Sequence, residues 1–544
     1  MNYTLKEVIG RGDHLFNSRG SFMSLLQSIA ENFYPERADF TLERVIGEEF
    51  VANLYSGYPI IVRRELANAF SSMLRPTNTE WAHVTVEDSE ALSTEARQFL
   101  EHAAKVQRRH MYDRRAMFIR ATKQADNDFA AFGQCVITHE IDWQKPSLLY
   151  RNWHLRDCAW QERYDGSVGE MHRNWKPRIS ELARQFGEGK LHPSMQRSLR
   201  SDKNASAEGN IRVVTIASEE YGSTIRQPFR RITIDVANCH EIENVPQWTF
   251  GHVVPRWQTV SGSQYAFSPA TVAGLPDARL LQAMTLTLLE AGEMAVRPPL
   301  LALEDVIRED MNWYPGGITV ADSEYDQRLG DVLRPISQDT SALPFGMDFQ
   351  NDTRSMLATA FFLNKITLPP SNSKEMTAYE TSERIQEYIR EAAPLFEPME
   401  YEYNAVLCED TFDHLLRAGA FGPPQNIPKE LQGRDIHFQF ESPLHDAIER
   451  KKGNQFMESR QLLMMAAEID APSIATMNVR DALRSALHGI GTPAAWLNSK
   501  DVVDAHAQAY SEETEQQNEL NSAAQAAGAA KQLAEAGAAQ SAKA

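Results

Sequence analysis

The sequence predicts an α+β chain: a helical layer over a mostly antiparallel sheet, then two long rods flanking a proline- and glycine-rich excursion. Three observations lead there. Apolar residues keep helical spacing over much of residues 21–125 and change to alternate spacing from Gly133. A rod over residues 276–296 carries no charge between Arg279 and Glu290. A second rod, 352–366, ends at the polar stretch "TLPPSNSKEM".

In order, "SFMSLLQSIAENF", "IVRRELANAFSSML" and the long run from "EARQFLEH" to "DNDFAAF" read as helices, separated by Pro35, Pro59 and Pro76. "EWAHVTVED" alternates like a strand. After Gly133, "QCVITHEI", "SLLYRNWHLRDCAWQERY" and "SVGEMHRNW" read as strands, the last two joined by the hairpin signal Asp165-Gly166. "PRISELARQFG" is a helix with Pro177 at its start and Gly187 as its stop. "MQRSLRSDKNASAEGN" reads as a loop, and "IRVVTIAS", "FRRITIDVA" and "TFGHVVPRW" resume strands.

The first rod starts at Pro276, runs to Val296 and stops before Pro298-Pro299. Leu280, Leu281, Met284, Leu286, Leu288 and Leu289 do not share one face, so the rod is expected to be covered from two or more sides. It reads either as a central core helix or as a helix packed against copies of itself. Residues 297–351 form a small excursion with aromatics at Trp313 and Tyr314. The second rod is "DTRSMLATAFFLNKI". The stretch after it reads locally as a solvent loop joining two helices. Thr377 and Glu380 then match the capping box, in which hydroxyl and carboxylate satisfy reciprocal backbone amides. Helical spacing continues beyond, kinked at Pro394 and Pro398 and closed by Gly419 and Pro423-Pro424. One strand and several short helices follow, then a low-complexity Ala-rich tail that reads as frayed helix or disordered.

Composition narrows the function. At 544 residues several domains are expected. The formal charge of -19, from 74 acidic and 55 basic residues, argues against a protein that grips nucleic acid electrostatically, though not against one that lets it slide past. Cys135, Cys158, Cys239 and Cys408 form neither a disulfide framework nor a zinc pattern, which fits a reducing cytoplasm. The N-terminus lacks the apolar core of a signal peptide, and "LLQAMTLTLL" is about half of the roughly 20 residues a membrane span needs. A soluble protein is expected.

No phosphate loop, dinucleotide fingerprint, HExxH or GxSxG motif occurs, and no motif asks for a metal or cofactor. Cys135 and His139 make a lone C-x3-H pair, Glu140 and Asp142 share a strand face, and "RRH" with "DRR" at 108–115 make a basic helix face. The first reads as structural, the second as a solvated strand face, and the basic face as a solvated or subunit-contacting surface. Nothing here proposes a reaction.

Taken in order, these features resemble the portal, or head-to-tail connector, of tailed bacteriophages, above all the short-tailed type. The resemblance spans residues 20–515. It is carried by "RRELANAFSSMLRPTNTEWAHVTV", "DFAAFGQCVITHE", "LYRNWHLRDCAWQERYDGSVGEMHRNW", "LPDARLLQAMTLTLLEAGEMAVRPPLL", "TAYETSERIQEYIREAAPLFEPMEYE" and "ESPLHDAI". It implies a portal fold with an α/β wing, a two-helix stem, a small clip and a mainly helical C-terminal crown. Copies, usually twelve, would form a ring at one capsid vertex through which double-stranded DNA is packaged and ejected. Carried over by position, the N-terminal wing is 1–275, the stem 276–296 and 352–366, and the clip 297–351. The tunnel loop is 367–376, the kinked helix and wing remainder 377–440, the crown 441–521 and the tail 522–544.

On that likeness Lys365, Thr367, Ser371, Asn372, Ser373 and Lys374 face the DNA channel, with Thr377 and Glu380 capping the helix behind. Leu280, Leu281, Met284 and Leu288 pack stem against neighbouring stem. Trp313 and Tyr314 either dock a partner or fill the clip's own small core. The implied partners are other copies of the chain, DNA held weakly and without sequence preference, the terminase packaging motor, tail adaptors, and capsid and scaffolding proteins. No membrane or cofactor is implied. The location is the virion, with the host cytoplasm before assembly. Two rivals stand beside this: another virion part such as an adaptor or scaffold, and an enzyme whose site leaves no motif.

Overall fold

The computed structural model describes residues 3–296 apart from 46, 52–53, 78–79, 87–91, 143–145, 201–206 and 222–225. It further describes 300–302, 333–335, 343–366, 399–440, 456–465 and short stretches between 477 and 528. The chain divides into two compact units, Met1–Trp81 with Arg108–His414, and Ala82–Gln107 with Leu415–Ala544.

The first unit opens with helices α1 (Leu5–Ser18) and α2 (Gly20–Phe33), followed by α3 (Tyr58–Leu74). Thr4 and Glu7 form a full capping box at the start of α1, with Thr4 N donating to Glu7 Oε2 at 2.7 Å. The second unit pairs β1 (Ala82–Val86) antiparallel with a strand near the other end of the chain, Ile436–Phe440, in the register Val84↔Phe438. Helix α4 (Thr94–Met111) buries Ala96, Leu100 and Ala103, and Ser93 N donates to Glu430 Oε2 at 3.2 Å.

The predicted helical run from 95 to 132 is two helices, α4 and α5 (Phe118–Phe132). Between them Asp113 accepts from Arg115 N at 2.8 Å and Met117 adopts φ 57°. A short acid that bonds the backbone two residues on favours a turn over continued helix. Gly133 then ends α5 at φ 73°, and a Cβ there would lie 2.5 Å from the Phe267 carbonyl. Positive φ and close approach both require glycine where the hydrophobic period changes.

Beyond Gly133 the strands are β2 (Val136–Asp142), β3 (Ser147–Trp153), β4 (Cys158–Glu162), β5 (Val168–Trp175), β6 (Ile211–Ala217), β7 (Phe229–Asp235), β8 (His240–Gln247) and β9 (His252–Val253). They make an antiparallel five-stranded sheet, β4-β5-β6-β7-β8, and a three-stranded sheet, β3-β2-β9. "SLLYRNWHLRDCAWQERY" is therefore not one strand. A 3-10 turn at Leu155–Asp157 separates β3 from β4, and His154 caps it by accepting from Arg156 N at 3.0 Å. Helix α6 (Ile179–Phe186) follows β5 as expected, whereas the predicted loop from Met195 lies partly in helix α7 (Pro193–Leu199), whose start Pro193 and the His192 cap define.

Alternation gives the five-stranded sheet two distinct faces. Val214, Ile216, Ile232 and Ile234 pack on one side against Val8 of α1. There Gly12 lets the helix approach, since a Cβ would sit 2.6 Å from both Arg212 and His172. The helical core holds Phe33, Phe70, Phe129 and Phe132, with Phe129 stacked on Trp257 at 5.3 Å. Arg75 and Asp126, both buried, form an ion pair, and Arg75 also donates to Asn404 Oδ1 at 2.7 Å. Burial pulls the Arg75 guanidinium down, but Asp126 and Tyr403 beside it more than offset this and its pKa is raised. These contacts anchor the π-helical turn Glu400–Ala405, which leads into helix α11 (Val406–Arg417).

His414 of α11 has Nε2 3.1 Å from His139 Nδ1, and His139 Nε2 lies 2.9 Å from Asp410. Burial, then the neighbouring His139, holds the His414 imidazole down at about 4. Between pH 6.5 and 4 the unfolded chain binds a proton there that the folded chain refuses, so stability falls as pH falls through that window, by at most about 3 kcal/mol from this group. Thermal melts between pH 7 and 4.5 should show a falling midpoint, with a smaller fall in His414→Gln.

Candidate functional site

The two rods are the most distinctive local structure. The first is helix α8 (Leu275–Val296), about 33 Å long at 1.5 Å per residue. Its helical path begins earlier than Pro276, through a π-helical turn at Ala270–Gly274 that runs into Leu275, whose N–H donates to Ala270 O; Pro276, which has no N–H to give, stands at the junction of the two helix types. The second is α9 (Leu343–Ala360), followed by α10 (Leu363–Ile366). It starts before the predicted Asp352: Pro344 is acceptable in the first turn, and Gly346 lies beside Leu288, where a Cβ would come within 2.8 Å of Leu288 Cδ2. The predicted continuous helix to Ile366 is also broken. Phe362 adopts φ 58°, so that Phe361 stacks on Phe33 at 5.2 Å while Phe362 stacks on Trp257 at 6.3 Å. The left-handed residue costs roughly 1–2 kcal/mol, which burying two aromatic rings offsets.

The rods are rooted at one end and bare at the other. On α8, Leu275, Ala278 and Leu281 are buried, and on α9, Thr353 and Leu357. Gln282 clasps the first rod to the body: its Oε1 accepts from Tyr55 N and Ser56 N, both at 2.8 Å, and its Nε2 donates to Ser56 O at 2.8 Å. Between the rods, Gln350 Nε2 donates to Thr285 Oγ1 at 2.8 Å, and the Thr353 hydroxyl donates to Phe349 O at 2.9 Å beside the Met284 sulfur. Beyond this root, Leu289 is 53%, Val296 82%, Phe345 76% and Met347 59% exposed. Soluble chains rarely leave so many large apolar groups together in water.

Of the predicted stem residues, Leu281 is fully buried within the chain, Met284 and Leu288 are half-buried against α9, and Leu280 is exposed at 39%. Lys365 lies on α10. Thr367, Ser371, Asn372, Ser373, Lys374, Thr377, Glu380, Trp313 and Tyr314 lie outside the described residues. Gln282, Gly346, Thr353 and Phe361 were not singled out in the sequence. A lone glutamine in a charge-free rod, and a glycine two residues after a helix-starting proline, were the available signals.

The other sequence candidates do not converge. Cys135 is buried, and burial pushes its thiol well up. His139 meets Asp410 and His414 instead, and Glu140 pairs with Arg231 at 2.6 Å. Among the described residues no helix is long and apolar enough to cross a membrane.

Truncating Leu281→Ala should destabilise the folded chain by about 2–5 kcal/mol, the range for a buried leucine, whereas Leu289→Ala should stay within about 0.5 kcal/mol. Denaturant titration of both variants under dissociating conditions measures the difference.

A family profile described as bacteriophage head to tail connecting protein matches residues 5–497. A "Probable portal protein" of Bordetella phage BPP-1 is 23% identical over 458 residues, covering 81% of this chain and 79% of that protein. A chain from a structure titled "Virion of native gene transfer agent (GTA) particle" is 9% identical, covering 81% of this chain and 95% of that one at a TM-score of 0.35, too slight a likeness to bear on the fold. With two rods rooted in an α+β body and a family match running through both compact units, the chain belongs to the bacteriophage head-to-tail connecting proteins.

Proposed function

We propose that the connector works as a portal: a ring of identical subunits, twelve by the likeness, set at one capsid vertex around an open axis, through which double-stranded DNA enters and leaves. One observation carries the reading. Within a single chain α8 is covered on the side facing α9, yet its sequence is uncharged all round from Leu280 to Leu289, and its outer turns stay exposed. A helix apolar on faces its own chain leaves bare calls for another chain, and in a closed ring each subunit's stem has a neighbour on either flank.

The bore needs a surface to which DNA does not adhere. The charge of -19 supports weak, reversible contact, since binding that releases many counterions requires clustered cations. In this proposal residues 367–376 form the tunnel loop between the second stem helix and the helix capped by Thr377 and Glu380. Lys365 and Lys374 offer transient phosphate contacts. The clip, the part of the expected 297–351 that precedes helix α9, faces the terminase during packaging and tail adaptors afterwards, and Trp313 and Tyr314 are its aromatic anchors. The antiparallel pairing of β10 (Leu300–Ala302) with β11 (Leu333–Pro335) supports a clip that closes on itself, because it brings the two ends of that excursion together. The capsid shell and its scaffold complete the partners, and the role is structural.

Electron microscopy of the purified connector should show rings with a central hole, and Leu289→Lys combined with Phe345→Asp should yield monomers that still fold. Compact small oligomers from the unaltered chain would overturn the proposal. Deleting residues 368–375 should leave rings intact while lowering DNA packaging or retention in assembled particles; loss of the rings would assign that segment a structural role instead.

A further inference from the structure

A cavity of about 70 Å³, counted as space open to the centres of water molecules, lies between the three-stranded and five-stranded sheets of the first unit. It is lined by Arg151 and Trp153 of β3, Arg173 and Trp175 of β5, Arg231 of β7 and His252 of β9. Alternation directs the odd-numbered residues of β5 and β7 to this face, opposite the one covered by α1. A pleated interior face usually carries aliphatic side chains; this one carries the guanidinium groups of Arg173 and Arg231, and Arg151 adds a third from β3 of the facing sheet.

The charges there are unbalanced. Glu140 is the one carboxylate among the lining residues, and it is taken by Arg231 at 2.6 Å. Arg173 is 8% exposed, and its Nε and Nη1 have no hydrogen-bond partner among the described residues. Its guanidinium carbon sits 3.7 Å from the Trp153 ring centre and 5.7 Å from that of Trp175. Such contacts stabilise the cation without satisfying its N–H groups. His252 is 7% exposed, with Nε2 3.0 Å from the Thr215 hydroxyl and Nδ1 buried with no hydrogen-bond partner among the described residues. Unmet buried donors cost roughly 1–3 kcal/mol each, so a native protein normally supplies an acceptor.

We infer that this cavity is an oxyanion site, built for one small tetrahedral anion of the inorganic phosphate class held between Arg173 and its neighbouring arginines. Planar N–H forks match the oxygens of such an ion, and the ion balances the excess positive charge. Size selects the ligand: at about 10–15 Å³ per water centre the space holds roughly five waters, enough for a phosphate but not for a nucleotide. Burial, with Arg231 and Arg151 adding, pulls the Arg173 guanidinium down to about 10 against Cys158 and Glu140, so it remains charged at neutral pH. The inference stands independently of the portal proposal, since it uses neither the stem nor the loop.

Calorimetric titration of the full-length protein with inorganic phosphate, at ionic strength held constant with sodium chloride, tests it. Saturable binding of one ion per chain is expected. Arg173→Met should abolish that binding, and Arg151→Gln, at an exposed position, should weaken it roughly tenfold while the chain stays folded. Arg151→Gln decides the matter if Arg173→Met does not fold. Absence of saturable binding, an equal response to chloride alone, or unchanged affinity in Arg151→Gln would overturn the site. Binding of a short DNA duplex that depends on Arg173, with none of free phosphate, would also overturn it and assign the arginines to a phosphodiester backbone.

Discussion

The organisation of this connector depends on the root of its two rods. There Ala278 and Leu281 of α8 and Thr353 and Leu357 of α9 are buried, and Phe361 stacks on Phe33. Burying a leucine or phenylalanine contributes roughly 1.5–3 kcal/mol, so a few such groups suffice to hold a helix pair whose far turns touch little else. The Gln282 clasp adds direction to that adhesion. Three hydrogen bonds from one side chain to the backbone at Tyr55 and Ser56 fix the rotation of α8 about its axis, which packing alone leaves freer.

Behind this root the largely apolar interior also holds a buried polar cluster. Arg75, Asp126, Tyr403 and Asn404 tie three separated parts of the chain together with charged and hydrogen-bonded groups that are almost fully buried. Buried ion pairs contribute little net stability compared with apolar packing, yet they penalise any arrangement in which a partner is missing. They therefore act on geometry more than on stability. The same logic applies where α1 meets the sheet: Arg212 donates to Ile9 O and Asp13, which sets the depth that Gly12 makes available.

The two faces of the five-stranded sheet have been put to different uses by one alternating pattern. Even-numbered residues of β6 and β7 make an aliphatic seat for α1, while odd-numbered residues of β5 and β7 bring arginines to the cavity. Period-two geometry makes such a division possible at no cost to the strands themselves.

Much of this was legible in the sequence, because local chemistry decides it. The α+β class, the change of period at Gly133, the Asp165-Gly166 hairpin and the uncharged first rod follow from spacing, glycine conformation and proline position, which act within a few residues. The capping box at Thr4 and Glu7 is equally local. What tertiary structure alone decided are pairings between distant segments. Nothing in "EWAHVTVED" names Phe438 as the partner of Val84, and nothing in a lone glutamine names Ser56. Nor does "LATAFFLNKI" announce its break, because Phe362 is left-handed only once Phe33 and Trp257 stand where its neighbour and it must pack. Spacing along a chain encodes which face of an element is apolar; which other element covers that face is settled by folding in three dimensions.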